Sequence, residues 1–328
     1  MPDKLQVTIV GLGLIGASAG LALRRHSDRV TVVGHDPDPT VTGAARKAGA
    51  VDRTDWNLIS AVRGADRILL ALPLDQVRDT LKAVAQDLKP GCVIVDTADV
   101  KVAANAAAAE LLPKGVHFVG GHPILIPANM DPDKATADLF DNKLFCLTPD
   151  TGTDGAAVHL AADLVEALGA KAFFLDPVEH DGMAAAVTQL PQLLAGALMD
   201  VASRSPGWKD MRKLAGSQFY TSTLITEGNG RSVVTGLTSN REHVMLWLDA
   251  LTARLDEWRQ ALADGEEEAV AAAIDDGLAE GEKWMEANVL GRWEEERDSP
   301  PMPMSSGMFR DLFGFGKWRI PPSGQKRK

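Results

Sequence analysis

At 328 residues the chain is longer than one hydrophobic core usually organises, and its 45% hydrophobic, 24% charged composition is that of a folded globular protein rather than a disordered one. A formal net charge of −11 excludes a general nucleic-acid binder, because neutralising phosphates takes clustered Lys and Arg. Met1-Pro2-Asp3-Lys4 leads straight into a strand-like Leu5-Gln6-Val7-Thr8-Ile9-Val10 with no secretory signal pattern, and no unbroken apolar run of about 18 residues follows, so a cytoplasmic chain without stable membrane insertion is expected.

Through the first half, short β-branched runs alternate with Ala/Leu-rich stretches, the pattern of βαβ units on a parallel sheet. The predicted strands are Val7–Val10, Val30–Gly34, Arg67–Ala71, Cys92–Asp96, Phe118–Gly120, Leu144–Leu147 and Lys171–Leu175. Between them fall helices over Ile15–Arg25, Val41–Ala48, Gln76–Leu88, Val100–Leu112 and Gly155–Leu168, the last closed by Gly169 as a C-cap. Cys92 and Cys146 sit inside apolar runs without metal-ligand spacing and read as buried thiols; no metal site is expected.

Directly after the first strand, Gly11-Leu12-Gly13-Leu14-Ile15-Gly16 opens a helix, the context that raises Gly-x-Gly-x-x-Gly above a weak pattern. Gly11 makes the tight turn, Gly13 admits a pyrophosphate close to the backbone, Gly16 lets helix and strand pack, and the amides of Leu14 and Ile15 face the phosphates at the helix N-terminus. Twenty residues beyond Gly16 the second strand ends at Asp36, placed to accept hydrogen bonds from the adenosine ribose. With Pro37-Asp38-Pro39 following and no Arg, NAD rather than NADP is the expected cofactor. Pro73, after the third predicted strand, either turns the chain beneath the nicotinamide or simply ends that strand. His122 follows Val116-His117-Phe118-Val119, which places it at the carboxyl edge of the sheet where such folds bind ligands, and Gly120-Gly121 ahead of it reads as room for cofactor or substrate.

After Asp176 strands vanish and helical stretches run to about Leu290, with Pro177 suited to a first helical turn. The expected fold is α/β: a Rossmann-type parallel sheet domain followed by an all-helical C-terminal domain. Its parts are 1–176 for the dinucleotide, 177–295 for substrate and dimerisation, and 296–328 as a Pro-rich linker and basic aromatic tail. Val244, Leu248, Leu251, Leu255, Trp258 and Leu262 follow a 4, 3, 4, 3, 4 spacing, a seam that serves either the domain core or a homodimer interface. From Phe309 to Lys328 six bases stand against Asp311 alone, with four aromatics among them; the tail is expected to dock on the acidic body or a partner subunit, with an anionic membrane as the alternative.

Four segments resemble the prephenate and arogenate dehydrogenases of tyrosine biosynthesis, the resemblance covering about residues 5–290: Gly11-Leu12-Gly13-Leu14-Ile15-Gly16-Ala17-Ser18; Asp96-Thr97-Ala98-Asp99-Val100-Lys101; Gly120-Gly121-His122-Pro123 with Asp138-Leu139-Phe140; and His180-Asp181 through Thr188-Gln189-Leu190-Pro191-Gln192. The resemblance implies an oxidative decarboxylation in which a ring carbon gives hydride to the nicotinamide, carbon dioxide leaves, and the ring becomes aromatic. It implies His122 as acceptor of the hydroxyl proton, a role a neutral imidazole can fill. It implies Lys101, Thr188, Gln189 and Gln192 around a small-molecule carboxylate substrate.

The departures from the family pattern are specific. Asp99 stands where the family has serine, as an acid partner of His122 or an N-cap of the next helix. Ile124-Leu125-Ile126-Pro127 replaces a small-residue segment, and Gln189 and Gln192 replace two histidines. Gly216-Ser217-Gln218-Phe219-Tyr220-Thr221-Ser222-Thr223 lacks the arginine that holds a substrate carboxylate in the family, leaving Arg231 and Arg241 as candidates to replace it. The alternatives to prephenate or arogenate are another cyclic or β-hydroxy acid, or a catalytically silent NAD-binding sensor.

Overall fold

The computed structural model describes residues 4–125, 134–224 and 230–290. Eight strands, β1 (Leu5–Val10), β2 (Val30–His35), β3 (Arg53–Thr54), β4 (Arg67–Leu70), β5 (Val93–Asp96), β6 (His117–Pro123), β7 (Leu144–Thr148) and β8 (Lys171–Phe174), lie in the order β3-β2-β1-β4-β5-β6-β7-β8. Neighbours from β3 to β6 pair in parallel. β7 runs antiparallel to β6 and β8 parallel to β7, so the sheet is mostly rather than wholly parallel. Between β1 and β4 the winding reverses, and the crevice above that switch point is where such sheets bind ligands.

Both faces of the central strands are covered, which is why they read as continuous apolar runs rather than alternating ones, while β8 at the edge is mostly exposed. Alternate residues serve opposite cores: Leu69, Val93 and Val95 pack on one side with Ala17, Ala19 and Leu164, while Ile68, Leu70 and Ile94 pack on the other with Val77, Leu81 and Ala104. Each fully buried Val, Ile or Leu contributes about 1.5–3 kcal/mol of burial free energy. Burial pushes the Cys92 thiol up to about 12 and that of Cys146 to about 11, as expected for thiols sealed in a core.

The helices of this part are α1 (Leu14–Leu23), α2 (Pro39–Lys47), α3 (Leu58–Val62), α4 (Leu74–Val84), α5 (Val102–Leu111) and α6 (Gly155–Ala167). Asp38 caps α2 through Thr40 N at 2.7 Å, Asn57 caps α3 through Ser60 N at 3.0 Å, and Gly169 (φ +89°) ends the turn after α6. Beyond β8 the chain is helical: α7 (Pro177–Ala184), a π turn (Ala185–Gln189), α8 (Leu190–Ser203), α9 (Trp208–Leu214), α10 (Ser217–Thr223), α11 (Gly230–Ser239), α12 (Arg241–Asp264) and α13 (Glu267–Leu290). Asp176 caps α7 through Val178 N at 2.8 Å, with Pro177 in its first turn. By contacts the chain divides into two units, 1–278 and 279–328; of the second, the described residues are 279–290, the end of α13.

α7, the π turn and α8 form one helix, Pro177–Ser203, that is long and apolar enough by length and composition to cross a membrane, contrary to the expectation of no such segment. The expectation sought an unbroken apolar run, and Thr188, Gln189 and Gln192 interrupt this one. Of the predicted seam in α12, Val244 is buried and Leu248, Leu251 and Trp258 are half-buried, while Leu255 and Leu262 are 50% and 60% exposed. The seam is core at its first turn and leaves the core toward its end. The linker and tail from Ser299, together with Ile126 and Pro127, lie outside the described residues.

Candidate active site

Three glycines of the β1–α1 turn are needed for three different reasons. Gly11 has φ +89°, and a Cβ on it would strike the Ala71 carbonyl oxygen; a Cβ on Gly16 would strike the carbonyl oxygen of Gly11. A Cβ on Gly13 would meet no protein atom within 4 Å. Packing therefore explains the first and last glycines, and the open space at Gly13, beside the N-terminus of α1 with its amides at Leu14 and Ile15, fits the approach of a pyrophosphate. At the end of β2, half-buried Asp36 is fixed by accepting Leu12 N at 2.9 Å and Asp38 N at 2.9 Å, so its carboxylate is tied to the glycine turn itself. Pro73 sits at the N-cap of α4, half-buried, at the same edge of the sheet. These residues fit a dinucleotide with its phosphates over α1 and its adenosine ribose at Asp36.

His122 lies on the part of β6 that outruns β5: Val119 is the last residue paired with β5, and His122 faces Cys146 on β7. Its Nδ1 is 2.9 Å from Nε2 of His180 in α7, and Nδ1 of His180 is 2.8 Å from Oδ1 of Asp181. A carboxylate accepts, so His180 donates from Nδ1 and its Nε2 carries the lone pair; His122 then donates from Nδ1, and its own Nε2 is left as the basic atom. Burial above all, with the Lys101 ammonium, holds the His122 pKa well below its ordinary value, so the ring is neutral at neutral pH. The Gly120-Gly121 pair, read from the sequence as room for a ligand, is filled by protein. A Cβ on either would collide with Thr148 and Asn105 or with the Asp96 carbonyl.

Asp99 does not cap a helix. α5 begins at Val102, and its first amides are capped from the helical domain, with Lys101 N and Val102 N donating to Asp181 at 2.7 and 2.9 Å. Asp99 instead faces Gly236 of α11, and burial together with Asp181 raises its carboxyl above the usual range. Lys101, expected at the substrate, is fully buried: its ammonium donates to both Asp96 oxygens at 2.8 and 2.6 Å and to Gly121 O at 2.5 Å. Its three donors are thereby committed to the protein, and it tethers the turn after β5 to the end of β6.

Thr188 and Gln189 lie in the π turn, an irregularity that recurs at functional sites, and this turn packs on α11 and α12. Gln189 is fully buried, accepts Asn240 Nδ2 at 2.7 Å, and turns its own Nε2, without a hydrogen-bond partner, toward Gly236 and the side where Asp99 stands. Gln192 is half-buried one turn on. Arg231 and Arg241 stand in the first turns of α11 and α12 with exposed side chains. His180 and Asp181 were visible in the sequence only as part of a segment. Their adjacency, just after an Asp-Pro helix start, is the signal that could have singled them out.

A mostly parallel, doubly wound sheet with a glycine turn at its first strand, an acid ending its second and an oriented histidine at its carboxyl edge defines a nucleotide-dependent dehydrogenase. Residues 19–174 match the family model of the prephenate dehydrogenase nucleotide-binding domain, and residues 176–276 that of the prephenate dehydrogenase dimerization domain. The cyclohexadienyl dehydrogenase of Zymomonas mobilis is 32% identical over 263 residues, 78% of this chain and 88% of that protein. The prephenate dehydrogenase of Bacillus subtilis is 27% identical over 78% of this chain and 67% of its own length. The crystal structure of Synechocystis arogenate dehydrogenase superposes with a TM-score of 0.68 at 26% identity, covering 85% of this chain and all of that one. The chain belongs to the prephenate dehydrogenase family, and is an NAD-dependent dehydrogenase of the prephenate and arogenate type.

Proposed function

We propose that the chain oxidises and decarboxylates prephenate or arogenate, with His122 as the proton acceptor. The observation that carries this reading is the run of hydrogen bonds from Asp181 through His180 to His122, which leaves His122 Nε2 basic at the carboxyl edge of the sheet. When bound, the nicotinamide supplies the hydride acceptor. His122 takes the proton of the ring hydroxyl as the C–H pair leaves and a carbonyl forms at that carbon. The pair of the ring-to-carboxylate bond then flows into the ring as carbon dioxide departs, and the proton held on His122 can return to the phenolate oxygen. Asp181, fixed by two backbone amides, keeps His180 in the tautomer this requires, and Asp99, its carboxyl raised by burial, stands on the α11 side as a second acid.

The lack of an arginine in residues 216–223 and the buried amide nitrogen of Gln189, without a hydrogen-bond partner, favour a second reading in which the acid is a different cyclic or β-hydroxy acid, held through Thr188, Gln189, Gln192 and Arg231 or Arg241. Incubation with NAD and either prephenate or arogenate, following reduced cofactor by absorbance and carbon dioxide release, separates the two. Turnover of neither supports the second. The assignment of 1–176 to the dinucleotide, 177–295 to substrate and dimerisation and 296–328 to a docking tail is likewise proposed, supported by the break between the two family matches and by the end of the strands before α7. A homodimer formed through the helical part, in the cytoplasm, accords with the dimerization model and with the exposed apolar residues of α8 and α12.

A further inference from the structure

Trp56 is the most exposed large hydrophobic side chain but one among the described residues, at 87%. A singly exposed side chain is ordinary on a protein surface, and what sets Trp56 apart is where it stands. Its backbone is held firmly: Asp55 N donates to Gly34 O at 3.0 Å, His35 Nδ1 is 3.0 Å from Asp55 O, and Asn57 N donates to the Asp55 carboxylate at 3.0 Å before Asn57 caps α3. Trp56 is thus an exposed aromatic on a rigid turn.

The register shows where that turn stands. β3 pairs with β2 as Val33 with Arg53 and Gly34 with Thr54, and Asp55 keeps to the end of β2 through Gly34 O and His35 Nδ1, so that Trp56 is two residues past the end of β3 as Asp36 is one residue past the end of β2. Both strands end at the carboxyl edge, and Trp56 is one strand outward from the carboxylate that meets the adenosine ribose. The base attached to that ribose therefore lies within the reach of an indole at this position.

We propose that Trp56 is the stacking platform for the adenine of the dinucleotide. The inference rests on the dinucleotide reading of Asp36 and adds to it the side chain that reads the base. A purine laid on an indole buries apolar area on both and gains the offset stacking of two π systems, and truncating such a platform costs about tenfold or more in affinity. Because the side chain makes so little contact within the protein, its removal leaves folding unchanged.

The test measures binding of NAD, ADP-ribose and nicotinamide mononucleotide to the wild-type chain and to Trp56→Ala and Trp56→Phe by calorimetry, with thermal unfolding alongside. Trp56→Ala is expected to weaken NAD and ADP-ribose by the same factor, about tenfold, to leave nicotinamide mononucleotide and the melting temperature unchanged, and Trp56→Phe to recover most of the loss. ADP-ribose binding unchanged in Trp56→Ala overturns the proposal while leaving the dinucleotide site intact. A wild-type chain that binds neither NAD nor ADP-ribose overturns the site itself.

Discussion

His180 meets His122 edge-on, the ring centroids 5.1 Å apart and the planes at 72°, with 2.9 Å between the facing nitrogens. One ring thereby sets the tautomer of the other. His122→Asn is expected to keep NAD affinity within a few-fold and to lower kcat by roughly 10²–10⁴, the usual worth of a general base. His180→Gln, which keeps a polar side chain but breaks the relay, is expected to lower kcat by about 10–100-fold with KM for NAD unchanged. Wild-type kcat in His180→Gln would return that ring to a packing role.

The pH dependence has a defined sign. With its pKa held below the ordinary 6.5, His122 is already neutral at pH 7, so kcat/KM is expected to be flat from neutrality upward and to fall on an acid limb below 6.5. Burial is the largest cause of the depression and the Lys101 ammonium adds to it. In stability the same group binds fewer protons folded than unfolded, so its contribution is intact above about 6.5 and lost as pH falls toward the lower folded value. An acid limb centred at or above 6.5 contradicts this account.

Lys101 and Asp96 form an ion pair closed to solvent on both sides. Removing one partner strands the other's charge, so Lys101→Met is expected to cost about 3–5 kcal/mol in urea unfolding, and the Lys101→Met, Asp96→Leu double variant distinctly less than the sum of the singles. A Lys101→Met chain of normal stability but raised KM for the acid substrate would restore the lysine to the substrate site.

No Arg or Lys follows Asp36 in Pro37-Asp38-Pro39, and a 2′-phosphate would meet its carboxylate. A preference for NAD over NADP of at least tenfold is expected by fluorescence titration, narrowing in Asp36→Ser with a loss of NAD affinity from the freed Leu12 amide. Equal binding of the two cofactors by the wild-type chain would refute it.

Light scattering at micromolar concentration is expected to return twice the chain mass of 35.0 kDa. Leu255→Asp and Leu262→Asp, at seam positions that leave the core, are expected to shift the population toward monomer without unfolding it. A monomeric wild-type chain would leave these leucines without an interface.

What the sequence made legible was local. A strand, the glycine turn and Asp36 span 32 residues, from Leu5 to Asp36, and each step has its own signal, whereas β3, a two-residue strand, and α3, a five-residue helix, are too short to show a period. The start of α5 was read two residues early because the cap comes from Asp181, 80 residues away from Lys101. The family resemblance implied Lys101 at the substrate, and only the packed structure shows Asp96 closing on its ammonium away from solvent. The role of His180 became readable only when α7 was set against the end of β6.

Asp181 does more than hold a ring. Its carboxylate, rooted in the helical part, also supplies the first hydrogen bonds of α5 in the sheet part, and Asn240 of the helical part ties the carbonyl of the same residue at 2.7 Å. A hinge opening at this seam would uncap a helix and misalign the base in one stroke, at about 1 kcal/mol for the cap alone. The seam between the sheet and the helices after β8 is thus fastened at the residue that orients the base, and a shift anywhere along it is felt first at His122.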